Sequence, residues 1–256
     1  MARPLRDQVV VITGASQGIG RQTAIAMAKQ GASIVAAARN EEALNELARQ
    51  VERLGGTPEP VVADVAEYDQ VARLAQRALE RFGRIDTWVN NAAVSVYATV
   101  DDLEPAELER VVQVNLLGVM YGSKVAVQHM RGRGGGTIVN VGSALSERAV
   151  PLQSAYVATK HGIQGFSEAL RLELAHQQAG IDVVLILPSS INTPLFTLAR
   201  SKLGVQPAPI PPVYEPSVVA EAICHAAEHG GRRLHAELRA GQREQRRVDG
   251  RREDQD

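Results

Sequence analysis

Three side chains able to handle a proton or hold an oxygen, Ser143, Tyr156 and Lys160, follow a glycine-rich run, Thr13-Gly14-Ala15-Ser16-Gln17-Gly18-Ile19-Gly20. Tyr156 and Lys160 lie four positions apart in a helical pattern and so share one face. A phenol beside an ammonium can lose its proton below its ordinary pKa of about 10. The glycine run follows the apolar stretch Val9 to Ile12 and opens a helical pattern from Arg21 to Gln30. In a strand–turn–helix setting, glycines let the backbone approach a pyrophosphate and aim N–H groups at it. A tight turn without a ligand also satisfies the run, but its place directly after the first strand favours a dinucleotide. A dinucleotide site and an acid/base tyrosine in one chain point to hydride transfer.

The tip of the second strand bears on which dinucleotide. An NAD site places an acid there, roughly 20 residues on, to hold the ribose 2′-hydroxyl. Here the tip reads Ala36-Ala37-Ala38-Arg39-Asn40, with no carboxylate until Glu41, which is already in a helical pattern. Arg39 can form charge-assisted bonds to a 2′-phosphate. A solvated arginine at a helix start is the plain alternative. With the acid missing, NADP(H) is preferred and NAD(H) remains possible.

The elements that must position these groups alternate. Short β-branched bursts at Val9–Thr13, Ser33–Ala38, Pro60–Ala63, Asp86–Asn90, Thr137–Val141 and Asp182–Leu187 predict strands buried on both faces. Amphipathic stretches near 18–30, 41–54, 67–82, 105–130, 154–178 and 216–229 predict the helices between them. This alternation predicts an α/β fold, a doubly wound, Rossmann-type and mainly parallel sheet of six or seven strands with helices on both faces. No linker divides positions 1–230, which read as a single dinucleotide-binding and catalytic domain. Pro207, Pro209, Pro211 and Pro212 mark 194–216 as an excursion over one sheet edge, in the place of a substrate loop. Residues 231–256 read as a polar tail, Leu234, Leu238 and Val248 being its large apolar residues among eight arginines and six acids. It is expected to form at most one weak edge strand and to be disordered after about Ala240.

Composition narrows the function classes. The 256 residues are 45% hydrophobic and carry a formal net charge of −1, which gives no electrostatic pull toward nucleic acid or a membrane surface. A lone cysteine, Cys224, fits a reducing compartment. Met1 to Gln8 has arginines but no apolar signal-peptide core before the first strand, and no run approaches the length of a membrane span, so the expectation is a cytoplasmic protein.

Further motifs appear in order: Asp64-Val65, Asn90-Asn91-Ala92-Ala93, Asn115, Ser143, Tyr156-Val157-Ala158-Thr159-Lys160, and Pro188 with Thr193. Together with the glycine run they resemble the short-chain dehydrogenase/reductase family in its compact single-domain form, over about 1–195. The resemblance implies that Tyr156 is the general acid/base and Ser143 orients the substrate oxygen. Lys160 would hold the nicotinamide ribose and lower the tyrosine pKa, and Asn115 would support a water leading from Lys160 to solvent. It further implies cofactor contacts from Gly14, Ser16, Gln17, Gly18, Ile19 and Gly20, and from Arg39, Asp64 and Val65. Asp64 would bind the adenine amino group. Asn91 and Ala92 would form the cofactor floor, and Pro188 and Thr193 would stand at the nicotinamide. A homodimer or homotetramer is also implied.

The chain departs from the family pattern at Ala93 and Ser189, both glycine in many relatives, which adds atoms beside the expected nicotinamide pocket. Val94, Ser95, Leu145, Val150 and Leu152 are expected to line a mainly apolar substrate site. The reading is an NADP(H)-dependent oxidoreductase interconverting a ketone or aldehyde with an alcohol. The alternatives are a non-catalytic NADP(H)-sensing or scaffold protein, and an epimerase or dehydratase with a tightly held NAD, against which the glycine spacing argues. His225-Ala226-Ala227-Glu228-His229 matches a zinc-protease pattern, but its place at a helix end before Gly230-Gly231 suits a capping role, and no metal site is expected.

Overall fold

The computed structural model describes residues 3–235, without the side chains of Arg233 and His235. In chain order the elements are β1 (Val9–Thr13), α1 (Gly18–Ala28), β2 (Ser33–Ala38), α2 (Glu41–Arg53), β3 (Thr57–Val62), α3 (Tyr68–Phe82) and β4 (Thr87–Asn90). There follow β5 (Val96–Tyr97), α4 (Pro105–Val112), α5 (Gly118–Met130), β6 (Gly136–Val141), α6 (Ser154–His176) and β7 (Ile181–Leu187). The last are β8 (Ser190–Ile191), α7 (Leu195–Leu198), β9 (Arg200–Ser201), β10 (Val213–Tyr214), α8 (Pro216–His229) and β11 (Arg233–His235).

Seven parallel strands form one sheet in the order β11-β7-β6-β4-β1-β2-β3. The order reverses beside β1, between β2 and β4, which is where open α/β sheets bind ligands at the carboxyl ends of their strands. Every residue of β1 is buried, because α1 and α8 cover one face while α3 and α5 cover the other. Odd and even positions therefore divide between two cores: Val10 and Ile12 pack with α1 and α8, and Val9 and Val11 pack with α3 and α5. This Rossmann-type α/β fold is the one the alternating pattern predicts.

Three elements differ from their expected extents, each for a physical reason. β3 begins at Thr57, before the expected Pro60, and includes Pro58 and Pro60. Proline cannot donate to a ladder, but β3 is an edge strand with one neighbour, where the loss is tolerated. The stretch 105–130 is one rod interrupted by a π-helical turn at Gln113–Leu117, so Asn115 sits on a bulge. The excursion is more regular than its prolines suggest, since β9 pairs with β5 and β10 pairs with β8.

The start of the polar tail is built into the sheet. Gly230 and Gly231 take positive φ (65° and 135°) and turn the chain from α8 into β11, which pairs with β7. Leu234 packs against the core beneath α8. The expectation of disorder after Ala240 lies outside the described residues.

A buried polar network ties the central strands together below the site. Asn90 Nδ2 donates to Asn140 Oδ1 (2.8 Å) and to Ser123 Oγ (3.1 Å), and Asn140 Nδ2 donates to Ser167 Oγ (2.9 Å). Satisfied networks of this kind fix the relative placement of β4, β6, α5 and α6.

Candidate active site

At the carboxyl ends of β1, β2, β4, β6 and β7 lies a cleft of about 410 Å³. One end is built on the glycine loop. Gly14 has φ 66°, and a Cβ there would stand 2.8 Å from Ala92 Cα, so only glycine lets the loop and the β4 tip approach this closely. Asn91 closes that junction: its Nδ2 donates to Thr13 O (3.0 Å) and Gly14 O (3.1 Å), and its backbone N–H donates to Thr13 Oγ1 (3.0 Å). At the N-terminus of α1, Gln17 provides no side-chain cap and the first turn holds no acid. Its N–H groups are thus available to an anion in the cleft.

Arg39 follows β2 at the cleft wall, exposed, and makes no hydrogen bond or ion pair among the described residues. Asn40 caps α2 through Ala43 N–H (3.0 Å), which confirms that Glu41 is helical and turned away from the role of a strand-tip acid. Asp64 lies opposite. Burial opposes its ionisation, but the Ala66 N–H, Arg110 and the charge of Arg39 outweigh that and hold its carboxyl below the usual range. Arg110 Nη2 donates to Asp64 Oδ2 at 2.7 Å, 46 residues away in sequence. Arg110 also lines the cleft, and sequence reasoning missed it because nothing in the local pattern of α4 distinguishes it from a solvated arginine.

Ser143, Tyr156 and Lys160 meet at the centre. Ser143 caps a short 3-10 turn, its Oγ accepting from Leu145 N–H (3.1 Å), and its hydroxyl favours the ionised form of the Tyr156 phenol. Lys160 Nζ donates to Val141 O (2.8 Å) and lies 5.4 Å from the centroid of the Tyr156 ring. Tyr156 is 7% exposed and Lys160 2%. Sequence reasoning expected the lysine charge to lower the phenol. Instead burial dominates both groups, pushing the Tyr156 phenol up to about 12 against the opposing influence of Ser143 and the Lys160 ammonium down to about 7.

Most of the residues singled out in the sequence line this one cleft: Gly14, Ser16, Gln17, Gly18, Ile19, Arg39, Asp64, Val65, Asn91, Ala92, Ser143, Tyr156, Lys160, Pro188 and Thr193. Gly20 and Asn115 stand behind it. Gly20 is buried, and a Cβ there would strike the Gly14 carbonyl and Asn91, so its part is helix–strand packing. Asn115 is fully buried and clamps Val94, accepting from its N–H (2.8 Å) and donating to its C=O (2.9 Å). Thr193 packs against the glycine loop, its Cγ2 3.3 Å from where a Gly18 Cβ would lie.

At the other end, Val94, Leu145 and Val150 line the cleft as expected, together with Tyr97, Gln153, Phe196 and Ile210. Ser95 and Leu152 do not: Ser95 is buried behind the wall and Leu152 points outward, 36% exposed. Ala93 and Ser189, the two departures, are both at the cleft, and Ser189 Oγ is buried without a hydrogen-bond partner. The excursion is fastened by charge: Lys202 Nζ and Arg200 Nε both pair with Glu107 at 2.9 Å, and Lys202 also donates to Asp102 O. The His225 and His229 rings stack at 4.2 Å at the end of α8, and no cluster of three metal-binding side chains occurs among the described residues. No described helix is long and apolar enough to cross a membrane.

Comparison with known proteins places this geometry. The family model described as short chain dehydrogenase matches residues 8–204. An uncharacterized oxidoreductase of Bacillus subtilis is 45% identical over 235 residues, covering 91% of this chain and 66% of that protein, so the relative extends beyond the shared part. A short chain dehydrogenase/reductase of Aspergillus oryzae is 35% identical over 204 residues, 78% of this chain and 77% of that one. Among solved structures, an alcohol dehydrogenase from the archaeon Thermococcus sibiricus, complexed with 5-hydroxy-NADP, is 26% identical with a TM-score of 0.78, covering 89% of this chain and 95% of that one. The glycine loop, the parallel sheet and the serine–tyrosine–lysine centre thus sit in a chain that belongs to the short-chain dehydrogenase family of oxidoreductases.

Proposed function

We propose that this protein is an NADP(H)-dependent oxidoreductase that interconverts a ketone or aldehyde with an alcohol, with positions 1–230 acting as one catalytic domain. The observation that carries the reading is that Ser143, Tyr156 and Lys160 line one cleft with the glycine loop and Arg39, Lys160 Nζ standing 5.4 Å from the Tyr156 ring centroid. The donor set fits the cofactor. Uncapped N–H groups of α1 suit a diphosphate, the unpaired Arg39 guanidinium suits a 2′-phosphate, and Asp64, held ionised, suits an adenine amino group. The NADP derivative bound by the Thermococcus relative supports the same choice.

Bound there, the nicotinamide would supply or accept the hydride. A phenol kept protonated by burial is suited to give its proton to a carbonyl oxygen in reduction. Ser143 orients that oxygen and, through its hydrogen bond, shares the charge that develops on it. Lys160 supplies a cation that anionic cofactor groups would favour against the burial that opposes it. In the alcohol-oxidising direction the same cation lowers the cost of forming the Tyr156 phenolate. Asn115 acts as a positioning residue, since its grip on Val94 fixes the strand-tip backbone beside the reacting groups.

The test is a panel of ketones, aldehydes and alcohols followed by NADPH absorbance, with NADPH and NADH affinities measured by fluorescence titration. NADPH-dependent turnover of at least one carbonyl is expected, with tighter binding of NADPH than NADH. Tight NADPH binding without turnover of any carbonyl or alcohol would sink the catalytic reading in favour of a sensor or scaffold.

A further inference from the structure

The cleft holds a second polar pair that hydride transfer leaves unused. Tyr97 and Gln153 both line its substrate end, and both are mounted on braced backbone. Lys202 N–H donates to Tyr97 O at 2.9 Å, and the next residue, Ala98, donates its N–H to Leu152 O at 3.0 Å. Leu152 has φ 67°, a left-handed conformation that a bulky side chain adopts only where its surroundings impose it. The turn that delivers Gln153 is therefore set by its contact with β5. The side chain of Gln153 is fixed as well, because Nε2 donates to Ser95 Oγ at 3.1 Å and Ser95 is 4% exposed.

That arrangement decides which atoms remain for a ligand. Ser95 engages one N–H of the Gln153 amide, which leaves Gln153 its carbonyl Oε1 as an acceptor and one further N–H. The Tyr97 phenol makes no hydrogen bond among the described residues and is half-buried, and burial holds it in the protonated, donating form. A charge on Tyr97 would oppose ionisation of Tyr156, which puts the two phenols within electrostatic reach of each other. The other walls at this end, among them Val94, Val150, Phe196 and Ile210, are apolar. Of the charged lining residues, Arg39, Asp64 and Arg110 lie together away from this end, and Lys160 stands beside Tyr156. A carboxylate or phosphate seated between Tyr97 and Gln153 would lose its water with no cation beyond Lys160, which already donates to Val141 O. A hydroxyl, which donates and accepts at once, matches the pair.

We propose that Tyr97 and Gln153 form a recognition subsite for an uncharged hydroxyl, so that the preferred substrate is an apolar ketone or alcohol carrying a second hydroxyl group. This rests on the carbonyl–alcohol reading of the same cleft and adds its substrate class. The experiment compares kcat/KM with NADPH for cyclohexanone, its ring-hydroxylated derivatives and their methyl ethers, in the wild type and in Tyr97→Phe and Gln153→Met. In the wild type, at least one hydroxyketone should exceed cyclohexanone by roughly 3- to 10-fold, the size of one neutral hydrogen bond, and its methyl ether should lose that advantage. Both variants should bring the hydroxyketone-to-cyclohexanone ratio toward one, while the NADPH dissociation constant stays as in the wild type. A wild type that prefers no hydroxyketone, or a Tyr97→Phe variant whose ratio is unchanged, overturns the subsite. Failure of every ketone to react with NADPH demonstrably bound overturns the carbonyl reading itself, and the subsite falls with it.

Discussion

The glycine-loop end of the cleft is made from neighbours in sequence: Gly14 and Ser16 to Ile19 line it, and Asn91 secures the loop at Thr13 and Gly14 through three hydrogen bonds of 3.0 to 3.1 Å. The substrate end is assembled from distant segments. Tyr97 comes from β5, Gln153 precedes α6, Phe196 and Ile210 belong to the excursion, and a pair of cations from β9 and beyond reaches back to Glu107 on α4. The first end relies on backbone geometry that few residue types permit. The second relies on side-chain contacts that many residue types supply. A rigid, locally encoded cofactor cradle beside a separately fastened substrate wall allows one end to vary while the other is kept.

That contrast predicts effects of decreasing size. Tyr156 stands where the two ends meet, so Tyr156→Phe should lower turnover by roughly 100- to 10,000-fold while leaving the cofactor cradle intact. Steady-state rates, set beside NADPH titration of the variant, check it. Near-normal turnover would remove the proton role from Tyr156. At the cofactor end, Arg39→Asp should weaken NADPH by roughly 10- to 150-fold and NADH little. Equal losses for both cofactors would show that Arg39 does not read the 2′-phosphate.

A third effect comes from Lys160, buried at the junction, whose folded pKa is lowered to about 7 from an unfolded value near 10.4. Below about pH 7 both states carry the proton and burying the charge costs stability in full. Between about 7 and 10.4 the unfolded chain binds the proton and the folded one does not, so stability rises with pH across that window. In Lys160→Met this rise should be missing, so that any stability advantage of the variant shrinks as pH increases. Denaturant midpoints of both proteins at a series of pH values measure it, and parallel curves would show that Lys160 is not buried as described.

The smallest effect belongs to the fastening of the excursion. Glu107 is held below the usual carboxylate range by Lys202 and by the Glu104 N–H, so its contribution is present above its unfolded value near 4.3 and fades only as pH falls through the lower folded one. Glu107→Gln should release Arg200 and Lys202, raise KM for a carbonyl a few-fold and speed tryptic cleavage within 194–216. NADPH affinity should not move. A change in NADPH affinity as large as the change in KM would mean that the two ends are not separately built.

The legible parts of the sequence were those whose chemistry is local. Five β-branched bursts gave strands within one residue of their observed limits, because strands buried on both faces admit little else. β3 was half missed, since prolines argue against a strand until its edge position is known. The glycine loop and the Tyr156–Lys160 pair were legible through fixed spacing and helical period, and Arg39 through the lack of an acid beside it. Arg110, Tyr97 and Gln153 were not, because their partners lie 46 or more residues away and nothing in their own neighbourhoods sets them apart.

The sequence by itself determined the alternation that makes the sheet, the turn at Gly14 that only glycine accommodates, and the residue types found at the centre of the cleft. Tertiary structure alone decided their electrical state. Burial of both partners, a property of the closed core and of no single residue, sets the Tyr156 phenol at about 12 and the Lys160 ammonium at about 7, opposite to what the pair predicts in isolation. Tertiary structure also decided which of the expected site residues face the cleft. Gly20 and Asn115 turn inward to hold backbone, because close packing and an unpaired Val94 peptide leave them no other place.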